Sequence, residues 1–385
     1  MPAPVRAARG PLPSAGPVAR VPVRGVAGST REALGFALVG AGAIGRVFAD
    51  ALARVDDAEL RVVVTRTEGS ARELAAAHAA AWSTDPGRLA ADDIDVVVVA
   101  TPSGTHADLA VPALEAGKHV LIEKPLDVSL AAADRIIEAE RRTGNVVAVV
   151  SQHRFDRSSE KLVAAARGGG LGRLTSATAS CAWWRGQSYY DSGAWRGTWA
   201  LDGGGATMNQ AVHVIDLLLA VMGEPVEVFA FTGTLAHERL EVEDTAVAAL
   251  RFASGALGTI HATTAAYPGV EAALRVFGDA GSAAIVDDEL AFWHAAAGPR
   301  PEVAMAESGA AANQLTAADR LAADERGLGA SHRRQLADLV RVVRARRAGD
   351  TSARPRVGTA EGRLTLATVL AMYESARTGR PVRPA

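Results

Sequence analysis

Over the first half of the chain, short apolar runs alternate with segments whose apolar residues recur every three or four positions. Residues 36–39 read as a buried strand, followed at once by GAGAIG at 40–45. Ile44, Val47, Phe48, Ala51, Leu52 and Val55 then share one face of a helix that starts near Ala43. Apolar runs at 60–64, 95–100, 119–123 and 146–151 predict further strands, and the spacing predicts helices over 107–116 and 129–143, stopped by Gly117 and Gly144.

Beyond residue 200 the pattern changes. A helix is expected to follow DGGGATMNQAVH (202–213) and to end near Gly223. Strands are then expected at 226–232, 245–252, 256–265, 272–277 and 283–286, separated by turns such as ASG and DAG. Residues 295–330 are rich in Ala and Gly and read as a variable loop region, before two helices near 331–347 and 359–377. Strand–helix alternation means a doubly wound parallel sheet, and a run of strands joined by turns means an antiparallel one. The expected fold class is α/β: a Rossmann domain over 34–152, then an α+β domain over 153–385 built on a large, mostly antiparallel open sheet.

Composition narrows the function. The hydrophobic fraction is 49%, the charged fraction 22% and the net charge −2. That balance argues against a nucleic-acid or anionic-membrane partner, and no apolar run is long enough to span a bilayer. Cys181 is the only cysteine, so no internal disulfide or thiolate metal cluster is expected, no metal site is assigned, and a reducing cytoplasmic setting fits. Residues 1–33, rich in Pro, Gly, Ala and Arg, lack a periodic apolar face and the apolar core of a secretory signal; they read as a disordered extension.

GAGAIG between a strand and a helix is a dinucleotide-binding signature. Gly40 would make the tight turn, Gly42 would let backbone approach a pyrophosphate, and Gly45 would let the helix pack on the strand. The amides of Ala43 and Ile44 then face the phosphates. At the end of the second strand stands Thr65-Arg66-Thr67 in place of the acidic residue that would bind a ribose 2′-hydroxyl. Arg66 favours NADP(H) over NAD(H) as cofactor, although it could equally be a solvated arginine and Glu68 could still reach the ribose.

Lys124 follows a strand directly and precedes Pro125, so it stands where ligands meet such sheets. A lysine there can donate to a substrate hydroxyl and lower its pKa. Asn209 and His213 are four apart on one helical face, and Asp216 could orient or charge-pair the imidazole. The triple glycine before them suggests close backbone approach to a ligand. Four of the six tryptophans (Trp183, Trp184, Trp195 and Trp199) fall within residues 181–202, with Tyr189, Tyr190, Arg185 and Arg196. Aromatic faces suit sugar rings and arginines suit a phosphate or carboxylate, while a strand pair whose aromatics fill the core is the competing reading.

From about residue 35 to the C-terminus, GAGAIG, TPSGTH, EKP, QHRFD, WRGTW, GGGATMNQAVH and the final SARTGRPV stand in the order of the Gfo/Idh/MocA oxidoreductases, which the chain resembles. The resemblance implies an enzyme of the sugar or nucleotide-sugar dehydrogenase branch, assembled as a homodimer or homotetramer. It would move hydride between nicotinamide and a ring secondary alcohol of a sugar, sugar derivative or cyclitol. By carry-over, Lys124 and His213 would be catalytic, with Asn209 in place of the aspartate that many members have. Thr101, Pro102, His106, Glu123 and Lys124 would lie near the cofactor. Arg154, Tyr190, Trp195, Arg196, Trp199, Asn209 and His213 would line the substrate. Two alternatives share the fold: a redox-neutral enzyme that retains its nicotinamide, and a non-catalytic cofactor sensor.

Overall fold

The computed structural model describes residues 33–295, 312–316 and 329–385. The expectations for residues 1–32 and for most of 295–330 lie outside the described residues.

Apolar runs, buried in the central strands and exposed only toward the β3 edge, form the first sheet. Its strands are β1 (Leu34–Val39), β2 (Ala58–Val64), β3 (Ala81–Ser83), β4 (Val96–Val99), β5 (His119–Ile122) and β6 (Val147–Val149), in the order β3-β2-β1-β4-β5-β6. Every pair in it is parallel. Burial on both faces explains the continuous apolar runs. The crossovers include helices α1 (Ala43–Leu52), α2 (Glu68–Ala77), α3 (His106–Glu115) and α4 (Leu130–Thr143). The last strand stops two residues short of expectation, because residues Gln152–Phe155 turn into a single 3-10 turn.

After α5 (Arg157–Arg167) comes the second sheet: β7 (Leu174–Ala182), β8 (Pro225–Gly233), β9 (Thr245–Phe252), β10 (Leu257–Thr263), β11 (Glu271–Gly278), β12 (Gly281–Val286) and β13 (Glu289–Ala295). Their order is β13-β12-β11-β7-β10-β9-β8. Only the β7–β10 pair is parallel, so the expected mostly antiparallel sheet is present. One face is covered and the other open, as the strict alternation of buried and exposed residues along β9 shows.

The strand pair that is the competing reading of 181–202 does not form. After β7 the chain makes one bridge, Trp184 to Ala265, and then a short helix α6 (Gln187–Asp191) with turns around it. A π-helical turn (Ala206–Ala211) then leads into α7 (Val212–Met222). Helix α7 is buried on almost every side, which its run of Val, Ile and Leu requires.

The two C-terminal helices return to the first half of the chain. Helix α8 (Ala330–Arg347) buries Leu336, Leu339, Val342 and Val343 in the same cluster as Phe48 of α1 and Leu38 of β1. His332 meets the Phe48 ring edge to face at 5.2 Å. Helix α9 (Thr359–Thr378) lies so close to β6 that a Cβ on Gly362 would sit 2.9 Å from the Val149 side chain. Both helices therefore fix the carboxyl-end side of the first sheet, where the candidate site lies.

Candidate active site

The glycines of the first turn divide by what they touch. A Cβ on Gly40 would lie 2.3 Å from the Ala100 carbonyl oxygen, and one on Gly45 2.2 Å from that of Gly40. The protein itself demands both. A Cβ on Gly42 would meet nothing within 4 Å. Gly42 is the N-cap of α1, whose first turn has no capping side chain and no acid. The first amides of the helix, Ala43 and Ile44 among them, thus have no intrahelical acceptor, and the helix dipole adds to their positive end. The space beside Gly42 is a cradle for an anion such as a pyrophosphate.

Glu123 gives a second indication. Its side chain is buried; Oε2 accepts from the Lys124 amide at 3.0 Å, and Oε1 has no partner. Burial raises its pKa, against the pull of Lys124. A buried acceptor left open calls for a donor, and a ribose hydroxyl supplies one. Cradle and open acceptor together fit a dinucleotide.

Thr101 and Pro102 lie at the end of β4, where Thr101 Oγ1 pairs with Thr105 Oγ1 at 2.8 Å. His106 is fully buried, with Nδ1 2.9 Å from the Pro125 carbonyl and Nε2 3.1 Å from that of Thr101. Both ring nitrogens face carbonyl oxygens of the protein, and the neutral ring donates to one of them, so His106 lies between the two loops and turns neither nitrogen to a ligand. Thr65 Oγ1 donates to the Thr67 carbonyl at 2.5 Å, and Arg66 is exposed just past β2.

Lys124 reaches across to the second half, donating from Nζ to the Asn209 carbonyl at 2.8 Å. Lys124 and His213 line one cavity with Ser151, Asp216 and Thr365. Asn209 donates from Nδ2 to Asp202 and, at 3.3 Å, to the Gly204 carbonyl. Burial lowers the Lys124 pKa, opposed by Glu123 and Asp202. Burial holds His213 well below the usual imidazole range, and the charges of Lys124 and His153 push the same way. His213 is therefore neutral at neutral pH.

Asp216 does not serve His213. Its carboxylate accepts two hydrogen bonds from Arg154, at 2.6 and 2.7 Å, and further ones from Ser151 and Thr365. The structure thus locks Arg154 into a buried ion pair, away from the expected substrate contact. The neighbour that His213 does have was not foreseen. His153 meets its ring edge to face at 5.2 Å. His153 Nδ1 donates to Asp156 at 3.0 Å and to Asp288 at 2.9 Å. Against its burial, those carboxylates raise His153 to about 9, so it is an imidazolium. Asp288 comes from the turn between β12 and β13, too distant in sequence for spacing to reveal.

The aromatic segment is split between core and site. Tyr190 is buried, its hydroxyl bonded to Thr264 at 2.7 Å, so it supports the site from behind. Trp195 and Arg196 stack together at 4.4 Å, and Trp199 is 45% exposed, edge on to Tyr373 at 5.1 Å. The triple glycine answers to the protein and not to a ligand. A Cβ on Gly203, Gly204 or Gly205 would strike Val128, Tyr373 or the Glu243 carbonyl, at 2.5, 2.1 and 1.6 Å. Buried Glu243 accepts from the amides of Gly205 and Thr207 at 2.9 and 2.8 Å and so takes the place of a side-chain cap for the π-helical turn. Such turns recur at functional sites.

A dinucleotide cradle at the switch of a parallel sheet, with a lysine and a neutral histidine lining a cavity at the carboxyl ends of its strands, fits a nicotinamide-type oxidoreductase. Residues 34–151 match the oxidoreductase family with NAD-binding Rossmann fold, and 159–284 match the GFO/IDH/MocA C-terminal domain. The chain belongs to the GFO/IDH/MocA oxidoreductases. It is 32% identical to myo-inositol 2-dehydrogenase of Thermotoga maritima over 63% of this chain and 72% of that one. Levoglucosan dehydrogenase of Pseudarthrobacter phenanthrenivorans is 31% identical over 46% of this chain and 50% of the relative. The WlbA dehydrogenase of Bordetella pertussis, solved with NADH and UDP-GlcNAcA, superposes with a TM-score of 0.80 at 32% identity, covering 92% of this chain and 99% of that one.

Gly42→Ala is expected to leave thermal unfolding unchanged while weakening NAD(H) or NADP(H) binding about tenfold or more, roughly 1.4 kcal/mol. Gly45→Ala should instead cost about 1–3 kcal/mol of fold stability through overpacking. Fluorescence titration and a melting curve on each variant separate the two; equal loss of stability in both would contradict the cradle.

Proposed function

We propose that the protein transfers hydride between a nicotinamide cofactor and a ring secondary alcohol or ketone of a sugar, sugar derivative or cyclitol. The observation that carries this is the meeting of Lys124 and His213, from opposite halves of the chain, in one cavity at the carboxyl ends of the nucleotide-binding sheet. The relatives named for inositol, levoglucosan and UDP-GlcNAcA support the same class of substrate.

Gly42, the α1 N-terminus and Glu123 would hold the cofactor. When bound, the nicotinamide supplies the hydride acceptor. His213, neutral and uncapped by any carboxylate, takes the hydroxyl proton. Lys124, held on the Asn209 carbonyl, stabilises the charge that develops on that oxygen. In the reducing direction the two groups reverse roles. Asn209, fixed by Asp202, orients the reacting alcohol.

The exposed guanidinium of Arg66, past the end of β2, supports NADP(H) as the preferred dinucleotide. The open face of the second sheet supports a homodimer or homotetramer. Phe231 and Val247 lie side by side on it in register, 62% and 45% exposed.

Three outcomes are expected. First, His213→Ala lowers kcat on a sugar and cyclitol panel by about 10²-fold or more with cofactor affinity retained. Because the pKa of His213 is depressed, the acidic limb of kcat/KM lies below the usual imidazole range. Removing the neighbouring positive charge in His153→Gln raises that pKa, so the acidic limb moves to higher pH; an unmoved limb would detach His153 from the base. Second, Arg66→Ala weakens NADP(H) about tenfold and leaves NAD(H) unchanged; parallel losses would remove the 2′-phosphate role. Third, light scattering gives a dimer or tetramer mass, and a monomer would refute the assembly.

A further inference from the structure

Arg185 and Arg196 are the two half-buried arginines beside this site that have no carboxylate partner among the described residues. Arg185 Nη1 donates to the Trp184 carbonyl at 3.2 Å, and its guanidinium lies 5.1 Å from the Trp183 ring and 5.4 Å from that of Tyr189. Arg196 lies 4.2 Å over Tyr189; Nη1 donates to the Tyr189 hydroxyl at 2.7 Å and Nε to Ser192 at 3.1 Å. Two guanidinium groups thus share one phenol ring.

That ring is tied to the reaction centre by two short bridges. The Tyr189 hydroxyl also accepts from Gln210 Nε2 at 3.0 Å, and the residue before Gln210 is Asn209, whose carbonyl holds Lys124. On the other side, the amide of Gly197, next to Arg196, donates to Asp202 at 2.7 Å, and Asp202 holds the Asn209 side chain. Both arginine charges are felt at Lys124 and oppose its protonation, while Asp202 is the carboxylate that favours it from this segment. Asp202 already accepts two hydrogen bonds from the protein. With Glu123 beside Lys124, three cations therefore face two acids, and the one that belongs to this segment is already satisfied. A guanidinium carries five donors. Arg185 uses one and Arg196 two within the protein, leaving forked donors free. Such a surplus is costly at a half-buried site unless an anion completes it.

We propose that Arg185 and Arg196 form an oxyanion subsite, which binds a carboxylate or phosphate substituent carried by the sugar. The aromatic rings of Trp183, Tyr189 and Trp195 hold the two planar cations in place, and the fork geometry selects a planar or tetrahedral oxyanion over a hydroxyl. The subsite rests on the proposed reading of this site as a sugar site. It adds that neutral sugars are the poorer ligands.

The test is calorimetric titration of the NADH-loaded protein with neutral sugars, their uronates and their phosphates, in the gluco, galacto and N-acetylglucosamine series. In at least one series the charged form should bind about tenfold or more tightly than the neutral one. The uronate and phosphate arms show which oxyanion is taken. Arg185→Gln and Arg196→Gln should each reduce that preference about tenfold while NADH affinity, read by fluorescence, stays unchanged and reports an intact fold. Neutral sugars binding as well as charged ones, no binding of any charged probe, or a preference that survives in both variants would overturn the subsite. Nicotinamide absorbance is followed separately. Charge-selective binding without turnover would leave the subsite standing and defeat the hydride-transfer reading, whereas turnover without charge selection would do the reverse.

Discussion

The buried pair of Asp216 and Arg154 fixes the geometry on which the site depends. One carboxylate gathers Arg154 and Ser151 from the exit of the first sheet and Thr365 from α9, and it is itself carried on α7. His213 lies one turn earlier on the same helix, so fastening Asp216 fixes the imidazole relative to Lys124. Loss of one partner would strand a buried charge, at a cost of about 3–5 kcal/mol. Multiple hydrogen bonds to the carboxylate offset its desolvation, which a lone ion pair would not achieve.

Around this anchor the charges sort by distance from the reacting hydroxyl. Lys124 and the imidazolium of His153 flank a neutral His213, and carboxylates are kept at one remove, on Asn209 and His153. Asn at 209, where the family resemblance implies an aspartate, fits this arrangement, since Asp202 stands directly behind it. A second carboxylate there would meet the first within hydrogen-bond reach, and the pair would not both ionise.

Much of this was legible in the sequence because it is local. GAGAIG, the apolar run of β1, the valine run of β4, and the glycine after α4 each specify their element within a few residues, and the structure reproduces them. Strand β7 was not legible: LTSATASCA has small residues where an apolar alternation would be read, because its neighbours β10 and β11 pack tightly on both sides. The role of Asp216 was misread for a similar reason. Spacing pointed it to His213 on its own helix, whereas its partners come from residues 62 and 149 positions away. The triple glycine looked like a ligand contact, yet Val128, Tyr373 and Glu243 account for it. Nothing in a single chain's pattern reports such tertiary neighbours. The open side of Gly42 is the opposite case: only the three-dimensional surroundings show that no protein atom requires that glycine.

Helix α8 gives the architecture a consequence for assembly. The layer that shelters β1 and α1 is contributed by residues nearly three hundred positions later in the chain. The nucleotide-binding half is thus not a contiguous segment and cannot be cut out at residue 152 without uncovering Phe48 and Leu38. During synthesis its core must wait for the C-terminal helices to emerge. Such long-range closure slows folding and makes the two halves one cooperative unit. The catalytic lysine and histidine, contributed by opposite sides of that unit, then come into register in the same event that buries the core.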